Sequence, residues 1–208
     1  MKEIDEKINK TISSLSRNRI EALYFPSKEA LVSCIKERLT SEMTIGVGDS
    51  ITLEELGIYS LLRNSNVNFL DKYKENISSE EKRDLYIKNF GADLFLSGIN
   101  ALSTEGKIYN LDGNGSRVAP IIYGPSKVIL ICGTNKIVIS EVEAFSRVRN
   151  VAAPIDAKRL GKSTPCVRSG KCMNCKAEDK ICNYFTIIQG QFDTERIKVF
   201  IVEGDYGF

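Results

Sequence analysis

The sequence contains no histidine and no tryptophan. Without histidine, nucleophilic catalysis of the Ser-His-Asp or Cys-His kind is excluded, and so is the imidazole ligand of many metal sites. Any acid–base chemistry must therefore use Asp, Glu, Lys, Tyr or Cys side chains.

Long apolar runs are also lacking. No stretch approaches the roughly 18 apolar residues that a membrane span requires, and the first residues, MKEIDEKINK, have no apolar segment of the secretory-signal type. The formal net charge is only +2 at pH 7, which is too small to indicate nucleic-acid binding. We therefore expect a cytoplasmic protein with no membrane partner and no nucleic-acid partner. These features do not set the number of subunits, and a homo-oligomer is compatible with them.

Length and composition predict a single soluble domain. The chain has 208 residues, of which 42% are hydrophobic and 27% are charged, and this is ordinary for one globular domain with a large core. We divide residues 1–208 into N-terminal helices (1–41), a central α/β region, a cysteine-rich segment (164–183) and C-terminal strands (184–208).

Apolar patterning predicts strands that alternate with helices. The predicted strands are residues 43–47, 67–71, 92–98, 127–133, 184–188 and 197–202, with a hairpin turn at Gly106-Lys107 between residues 101–104 and 108–111. The predicted helices are residues 1–20, a helix capped by Ser27, a helix beginning at Thr52, and residues 78–89, 118–123 and 140–148. We expect Val142, Phe145 and Val148 on the inner face of the last helix, with Pro154 interrupting the chain after it. The alternation predicts an α/β fold, Rossmann-like, with a mostly parallel sheet and flanking helices.

The loops at the ends of predicted strands are the expected ligand sites, because parallel sheets bind ligands at the carboxyl ends of their strands. These loops are residues 46–50, 98–100 and 132–134. In the first, Gly46 and Gly48 precede Asp49 and Ser50 at a helix start, where unpaired backbone N–H groups can bind an anion. The glycines could equally do no more than permit the turn, and Asp49 could serve only as a helix cap.

A second glycine-containing junction, residues 113–118, carries an arginine at its end. A guanidinium can bind a carboxylate or a phosphate through two parallel hydrogen bonds. Arg117 is therefore a candidate ligand-binding residue, with a structural salt bridge as the alternative.

Four of the six cysteines lie in one polar segment with the spacing C-x5-C-x2-C-x6-C: Cys166, Cys172, Cys175 and Cys182. The two-residue gap in the middle lets two sulfurs face one metal ion. In a reducing compartment such cysteines are more often metal ligands than disulfides. An iron–sulfur cluster, most simply [4Fe–4S], and a structural zinc ion are both compatible with the spacing, and thiols or disulfides without metal are the third alternative. The remaining two, Cys34 and Cys132, fall in apolar patterns and are predicted to be core residues.

The run ADLFLSGINALSTEGKIYNLDGNGSRVAPIIYGPSKVILICGTNKIV, together with the helix that follows it, resembles the LUD domain of lactate utilisation (LutC-like) proteins. Residues 46–50 are similar to the early Gly/Ser loop of that family, and Asn100 with residues 112–117 is similar to its central motif. The segment TPCVRSGKCMNCKAEDKICN resembles a subgroup with a C-terminal cysteine cluster. The resemblance covers nearly the whole chain from residue 20 on. It implies the fold of sugar-phosphate isomerases and CoA transferases, with an active-site cleft above the strand ends.

The resemblance also implies a function and a set of site residues. The family is associated with the oxidation of L-lactate to pyruvate within a multi-protein iron–sulfur complex. The expected ligand-binding residues are Gly46, Gly48, Asp49, Ser50, Asn100, Thr104, Asn114, Ser116 and Arg117. Glu105 is the catalytic candidate, because a related fold uses a glutamate in acyl transfer, although it could be only an exposed carboxylate in a hairpin turn.

Three functions remain open from the sequence. The first is a redox protein that exchanges electrons through the cysteine cluster with an electron-transfer protein or with a small carboxylate or phosphorylated metabolite. The second is a non-redox metabolite-binding or regulatory module with a structural zinc ion. The third is an enzyme that transforms acyl groups or sugar phosphates with Glu105. The sequence does not decide whether the protein is an enzyme.

Overall fold

The structure is a computed structural model that describes the backbone of residues 2–208 and the side chains of residues 6–208. Met1, the first residue of the helix predicted for residues 1–20, lies outside the described residues. The strands are β1 (Glu21–Phe25), β2 (Thr44–Val47), β3 (Asn68–Phe69), β4 (Leu94–Gly98), β5 (Ala101–Ser103), β6 (Ile108–Asp112), β7 (Lys127–Gly133), β8 (Ile137–Val138), β9 (Tyr184–Ile188) and β10 (Ile197–Val202).

Helices connect and flank these strands. They are α1 (Lys2–Arg17), α2 (Lys28–Lys36), α3 (Ile51–Glu55), α4 (Ile58–Arg63), α5 (Ser79–Lys88), α6 (Val118–Ile122), α7 (Glu141–Arg147), α8 (Ala153–Arg159) and α9 (Pro165–Ser169). Short 3₁₀ turns cover Asn89–Gly91 and Thr134–Lys136, and a π-helical turn covers Val148–Ala152. Ser27 and Ser78 cap α2 and α5 as predicted. No helix in residues 2–208 is both long enough and apolar enough to cross a membrane.

The main sheet has six parallel strands in the order β1-β10-β7-β4-β2-β3. Its central strand β7 is buried on both faces, and its side chains alternate between two cores. Ile129 and Ile131 face the cluster that contains residues of α2, α3 and α4. Val128, Leu130 and Cys132 face the cluster that contains residues of α1. This pattern is typical of a parallel strand covered by helices on both sides, and it confirms the predicted α/β fold class.

A second, smaller sheet has the order β8-β5-β6-β9. The hairpin of β5 and β6 is antiparallel as predicted, and β9 adds to β6 in antiparallel register, with Leu111 opposite Phe185. Tyr109, Phe145 and Phe185 form its small core, in which the rings of Phe145 and Phe185 stack with centroids 4.6 Å apart. The sequence predicted these strands but not their separation into a second sheet.

The prediction for residues 1–41 named only helices and missed β1. This strand lies at the edge of the main sheet, and only Phe25 of its five residues is buried. The apolar signal of such an edge strand is weak, because solvent replaces a neighbour on one side. The strand predicted at 67–71 shortens to the two residues of β3, at the opposite edge.

Two predictions for the helix after β8 were wrong. Val142 is 79% exposed, whereas Ala144 in α7 is buried and Val148, just after α7, is buried as predicted. Pro154 does not interrupt the chain. It lies in the first turn of α8, a position at which a helix tolerates proline. The π-helical turn before it joins α7 to α8.

Candidate functional site

A cleft of about 580 Å³ lies at the carboxyl ends of β2, β4 and β7. Residues of the loops that follow these strands line it. The end of β6 and the loop before α6 contribute to it as well, as do the end of α8 and residues 178–181 of the cysteine-rich segment. The cleft therefore lies where the fold predicts a ligand site.

Close contact between the strand-end loops shapes the floor of the cleft. A Cβ atom on Gly48 would lie 2.4 Å from Ser97 Oγ and 2.8 Å from Arg117 Cγ. A Cβ atom on Gly98 would lie 2.4 Å from Ser50 Oγ. Both glycines are thus required by the close approach of neighbouring side chains, since no larger residue fits without displacing them.

Asp49 forms part of a hydrogen-bonded network at one side of the cleft. Its Oδ1 lies 3.1 Å from Lys72 Nζ and accepts a hydrogen bond from Tyr73 Oη at 2.8 Å. The Lys72 side chain is only 1% exposed, and its ammonium also donates to the carbonyl of Val47 at 2.9 Å. The hydroxyl of Tyr59 lies 3.4 Å from that of Tyr73. Asp49 is therefore the counter-charge of a buried lysine and not the helix cap.

The electrostatics of this network fix its protonation at neutral pH. Burial would raise the pKa of Asp49, but the charge of Lys72 and the hydrogen bond from Tyr73 outweigh it and hold the pKa below its ordinary value of 3.8. Burial raises the pKa of Tyr59 to about 12, and burial together with the charge of Asp49 raises that of Tyr73. The network therefore presents one carboxylate and two protonated hydroxyls.

Arg117 is buried, with 7% of its surface exposed. Its terminal nitrogens donate four hydrogen bonds of 2.7 to 3.2 Å, all to neutral oxygens. The acceptors are the carbonyls of Gly98 and Leu111 and the side-chain oxygens of Asn100 and Asn110. These four bonds use both N–H groups on each terminal nitrogen. The guanidinium therefore holds the cleft loops in place, and its terminal nitrogens have no free N–H pair for a ligand. Nor does Arg117 form the structural salt bridge that the sequence left as the alternative, since no ion pair of Arg117 is present among residues 6–208.

Asp112 holds the loop that carries Arg117. Its two carboxylate oxygens accept four backbone N–H groups, those of Asn114, Gly115, Arg117 and Val118, at 3.0 to 3.3 Å. The carboxylate thus organises the turn before α6, and Arg117 follows with its side chain directed into the floor.

Lys136 is the second buried cation in the cleft floor. It follows β7, is only 3% exposed, and donates a hydrogen bond of 2.7 Å to Thr52 Oγ1. Burial lowers the pKa of Lys136 to about 7, and the nearby charges of Arg147 and Arg117 contribute to the same effect. No carboxylate among residues 6–208 lies within ion-pair distance of its Nζ.

The structure brings six of the predicted ligand-binding residues to the cleft, namely Asp49, Ser50, Asn100, Asn114, Ser116 and Arg117. Ser50 also caps α3 by accepting a hydrogen bond from the backbone of Leu53. Gly46, Gly48 and Thr104 do not line the cleft. A Cβ atom on Gly46 would meet the side chain of Asn89, and the Thr104 hydroxyl donates to the carbonyl of Ile139 at 2.9 Å.

Glu105 is also outside the cleft. It lies in the turn between β5 and β6 with its side chain 53% exposed, and its carboxylate lies 3.3 Å from Lys107 Nζ. The turn packs against α1 and the residues just after it, where Asn18 donates to the carbonyl of Glu105. The structure therefore places Glu105 as the exposed turn carboxylate that the sequence left as its alternative.

Sequence reasoning missed Lys72, Tyr73 and Lys136. Lys136 comes three residues after the strongest predicted strand, and this position was a signal that could have identified it. Lys72 and Tyr73 follow the very short β3, where the pattern gives little indication of a strand end.

The cysteine-rich segment borders the cleft. Cys166 lies in α9, at the start of the cysteine-rich segment, and its sulfur lies 3.2 Å from the Thr164 hydroxyl. Cys172 Sγ accepts a hydrogen bond from the backbone N–H of Asn174 at 3.4 Å. Burial raises the pKa of Cys182, and the charges of Cys172 and Cys175 raise it further, so these three sulfurs share one neighbourhood.

The donor chemistry of this segment suits a metal centre, but its sulfurs do not form a closed ligand shell. All four thiols are half-buried and unpaired, and the charges of Lys180 and Arg149 oppose the rise in the pKa of Cys182. Within residues 6–208, no three His, Cys, Asp or Glu side chains converge closely enough to form a metal-binding group. The structure thus leaves the choice among iron–sulfur cluster, zinc and free thiols as the sequence left it.

The core cysteines behave as predicted. Cys132 is fully buried in β7, and burial raises its pKa to about 12. Cys34 packs partly buried against the first core cluster.

The chain is similar to several solved structures. A DUF162 family protein from Deinococcus radiodurans is 16% identical, with a TM-score of 0.55 over 97% of this chain and 98% of that chain. Ribose 5-phosphate isomerase from Plasmodium falciparum is 19% identical over 54% of this chain and 52% of that chain, with a TM-score of 0.34. The eIF2B beta subunit from Chaetomium thermophilum is 19% identical over 68% and 47%, with a TM-score of 0.33.

The chain also matches a protein family. No curated protein matches the chain. The family model described as the LUD domain matches residues 8–202, which is nearly the full length. The chain therefore belongs to the LUD domain family.

Proposed function

We propose that this protein is a lactate-utilisation-type redox protein. In this proposal Cys166, Cys172, Cys175 and Cys182 hold an iron–sulfur cluster, and the adjacent cleft binds a small carboxylate or phosphate. When bound, the cluster would supply electron transfer, with an electron-transfer protein as its partner.

The observation that carries the proposal is the contact between the cysteine-rich segment and the cleft. Residues 178–181, between Cys175 and Cys182, line the cleft directly. Asn183, next to Cys182, donates from its backbone to the carbonyl of Asp112 at 3.0 Å and from its side chain to that of Gly113 at 2.9 Å. The segment is thus fixed to the same loop that positions Arg117.

The cleft itself suits a small anion. Its volume of about 580 Å³ is in the range of small-molecule sites. Its floor contains two buried basic side chains, Arg117 and Lys136, with no carboxylate at ion-pair distance among the described side chains. An anionic ligand would reduce the cost of burying these charges. The enzyme alternative that depends on Glu105 gains no support, because Glu105 lies outside the cleft.

The proposal is tested by cysteine variants of protein purified without oxygen. Cys172→Ser should lower both the iron content and the thermal unfolding temperature, because a metal centre stabilises the segment that supplies its ligands. The matched controls are Cys34→Ser and Cys132→Ser, which change cysteines outside the segment and should keep the iron content of the parent protein. Full iron content in the Cys172→Ser protein would contradict the assigned ligand set, and so would loss of iron in either control.

A further inference from the structure

The cleft floor contains a lysine whose side-chain hydrogen-bond donors are only partly used by the protein. An ammonium group has three N–H donors. Lys136 uses one of them on Thr52 Oγ1, and no other acceptor for its Nζ is found among residues 6–208. The hydroxyl of Thr52 is itself committed, because it donates to the carbonyl of Tyr206 at 3.1 Å. Two donors of a cation that is 3% exposed therefore remain without a protein acceptor, in a side chain that lines the cleft.

Arg117 does not have this freedom. Both of its terminal nitrogens are fully engaged by four protein oxygens, as described above. A ligand could bind to these nitrogens only by displacing bonds that hold the loops at Asn100 and Asn110 in place. Lys136 therefore offers two donors on one nitrogen, whereas Arg117 keeps only its single Nε–H outside these four bonds.

The charge around Lys136 also favours an anion. Burial is the main cause that lowers the pKa of Lys136, the charges of Arg147 and Arg117 lower it further, and Cys132 and Glu55 oppose this effect. One oxygen of Glu55 already accepts the backbone N–H of Gly207 at 2.6 Å. No carboxylate side chain of residues 6–208 therefore forms an ion pair with Lys136, while two arginines add positive charge near it.

We propose that Lys136, and not Arg117, is the residue that binds the anionic group of the ligand, a carboxylate or phosphate of a small metabolite. In this arrangement Thr52 fixes the position of the ammonium group, and Arg117 positions the surrounding loops without contacting the ligand. This inference rests on the proposed function, since it assumes that the cleft binds a small anion.

The test is calorimetric titration of the anaerobically purified protein with L-lactate, pyruvate and inorganic phosphate. The variants are Lys136→Met and, as a matched control, Lys82→Met, which removes a half-buried lysine from the lining of the same cleft. We expect Lys136→Met to raise the Kd of the bound probe by about 10-fold or more, the effect of losing a charged hydrogen bond. The control should change it by less than about 3-fold.

Each outcome decides one point. An unchanged Kd in the Lys136→Met protein, with binding intact in the parent, would overturn the role of Lys136 and leave the proposed function standing. An equal loss in the Lys82→Met protein would also overturn it, because the effect would then be one of general charge. Absence of binding of all three probes to the parent protein would contradict the proposed ligand class and the inference together. Circular dichroism spectra would show that the variants are folded, and we expect this of Lys136→Met because it removes an unpaired buried charge.

Discussion

At the scale of single residues, the main finding is that the buried cations of the cleft are satisfied in different ways. Lys72 has a carboxylate partner in Asp49, Arg117 has four neutral oxygens, and Lys136 has only one hydroxyl. The free-energy cost of burying a charge is larger when fewer protein groups compensate it, so it rises from Lys72 through Arg117 to Lys136. Lys136 is therefore the residue whose charge should have the largest measurable effect on stability.

This effect should appear in the pH dependence of unfolding. The pKa of Lys136 is about 7 in the folded protein and 10.5 is its ordinary value. Between these two values the unfolded chain binds more protons than the folded one, so the free energy of unfolding rises with pH. One such group contributes a slope of up to about 1.4 kcal/mol per pH unit.

Urea denaturation at pH 7, 8 and 9 checks this prediction. The parent protein should gain stability over this range relative to Lys136→Met, which lacks the titrating group. The variant should also be at least as stable as the parent at pH 7. Parallel stability curves for the two proteins would show that the charge of Lys136 is compensated in a way that the contacts of its ammonium group do not reveal.

At the scale of structural elements, the cleft depends on the close approach of the loops after β2 and β4. Gly48→Ala should destabilise the protein by about 1–3 kcal/mol, because its Cβ atom would lie 2.4 Å from Ser97 Oγ and 2.8 Å from Arg117 Cγ. It should also weaken ligand binding by displacing Arg117. Both effects can be measured by chemical denaturation and by calorimetry.

Gly91→Ala is the matched control for this prediction. Nothing lies within 4 Å of a Cβ atom at Gly91, and its backbone does not require glycine. Its stability should stay within about 0.5 kcal/mol of the parent value. Equal losses in the two variants would mean that glycine is preferred for backbone reasons and not for loop packing.

Some of these structural elements can be predicted from the sequence, and others cannot. The strands β4, β7 and β10 are mostly apolar and mostly buried on both faces, and this signal is strong and local. The edge strand β1 has no such signal, because most of its residues contact solvent on one side. Pro154 was misinterpreted because a proline in the first turn of a helix has the same sequence signature as one that ends a helix.

At the scale of the whole molecule, the site is assembled from distant parts of the chain. The glycine and asparagine loops could be predicted, since they immediately follow predicted strands. The approach of residues 178–181 could not, because the pairing of β9 with β6 brings that segment to the cleft, and strand pairing is a long-range property. The position of Glu105 has the same origin, since the sequence predicts the hairpin but not where the hairpin packs in the fold.

In the proposed function, the cysteine-rich segment beside the cleft holds an iron–sulfur cluster. The most direct measurement is the visible absorbance spectrum of protein purified without oxygen, together with the iron, sulfide and zinc content per chain. We predict about four irons with matching sulfide, and a broad visible absorbance that dithionite bleaches. A colourless protein with one zinc ion, or with no metal, would contradict the claim.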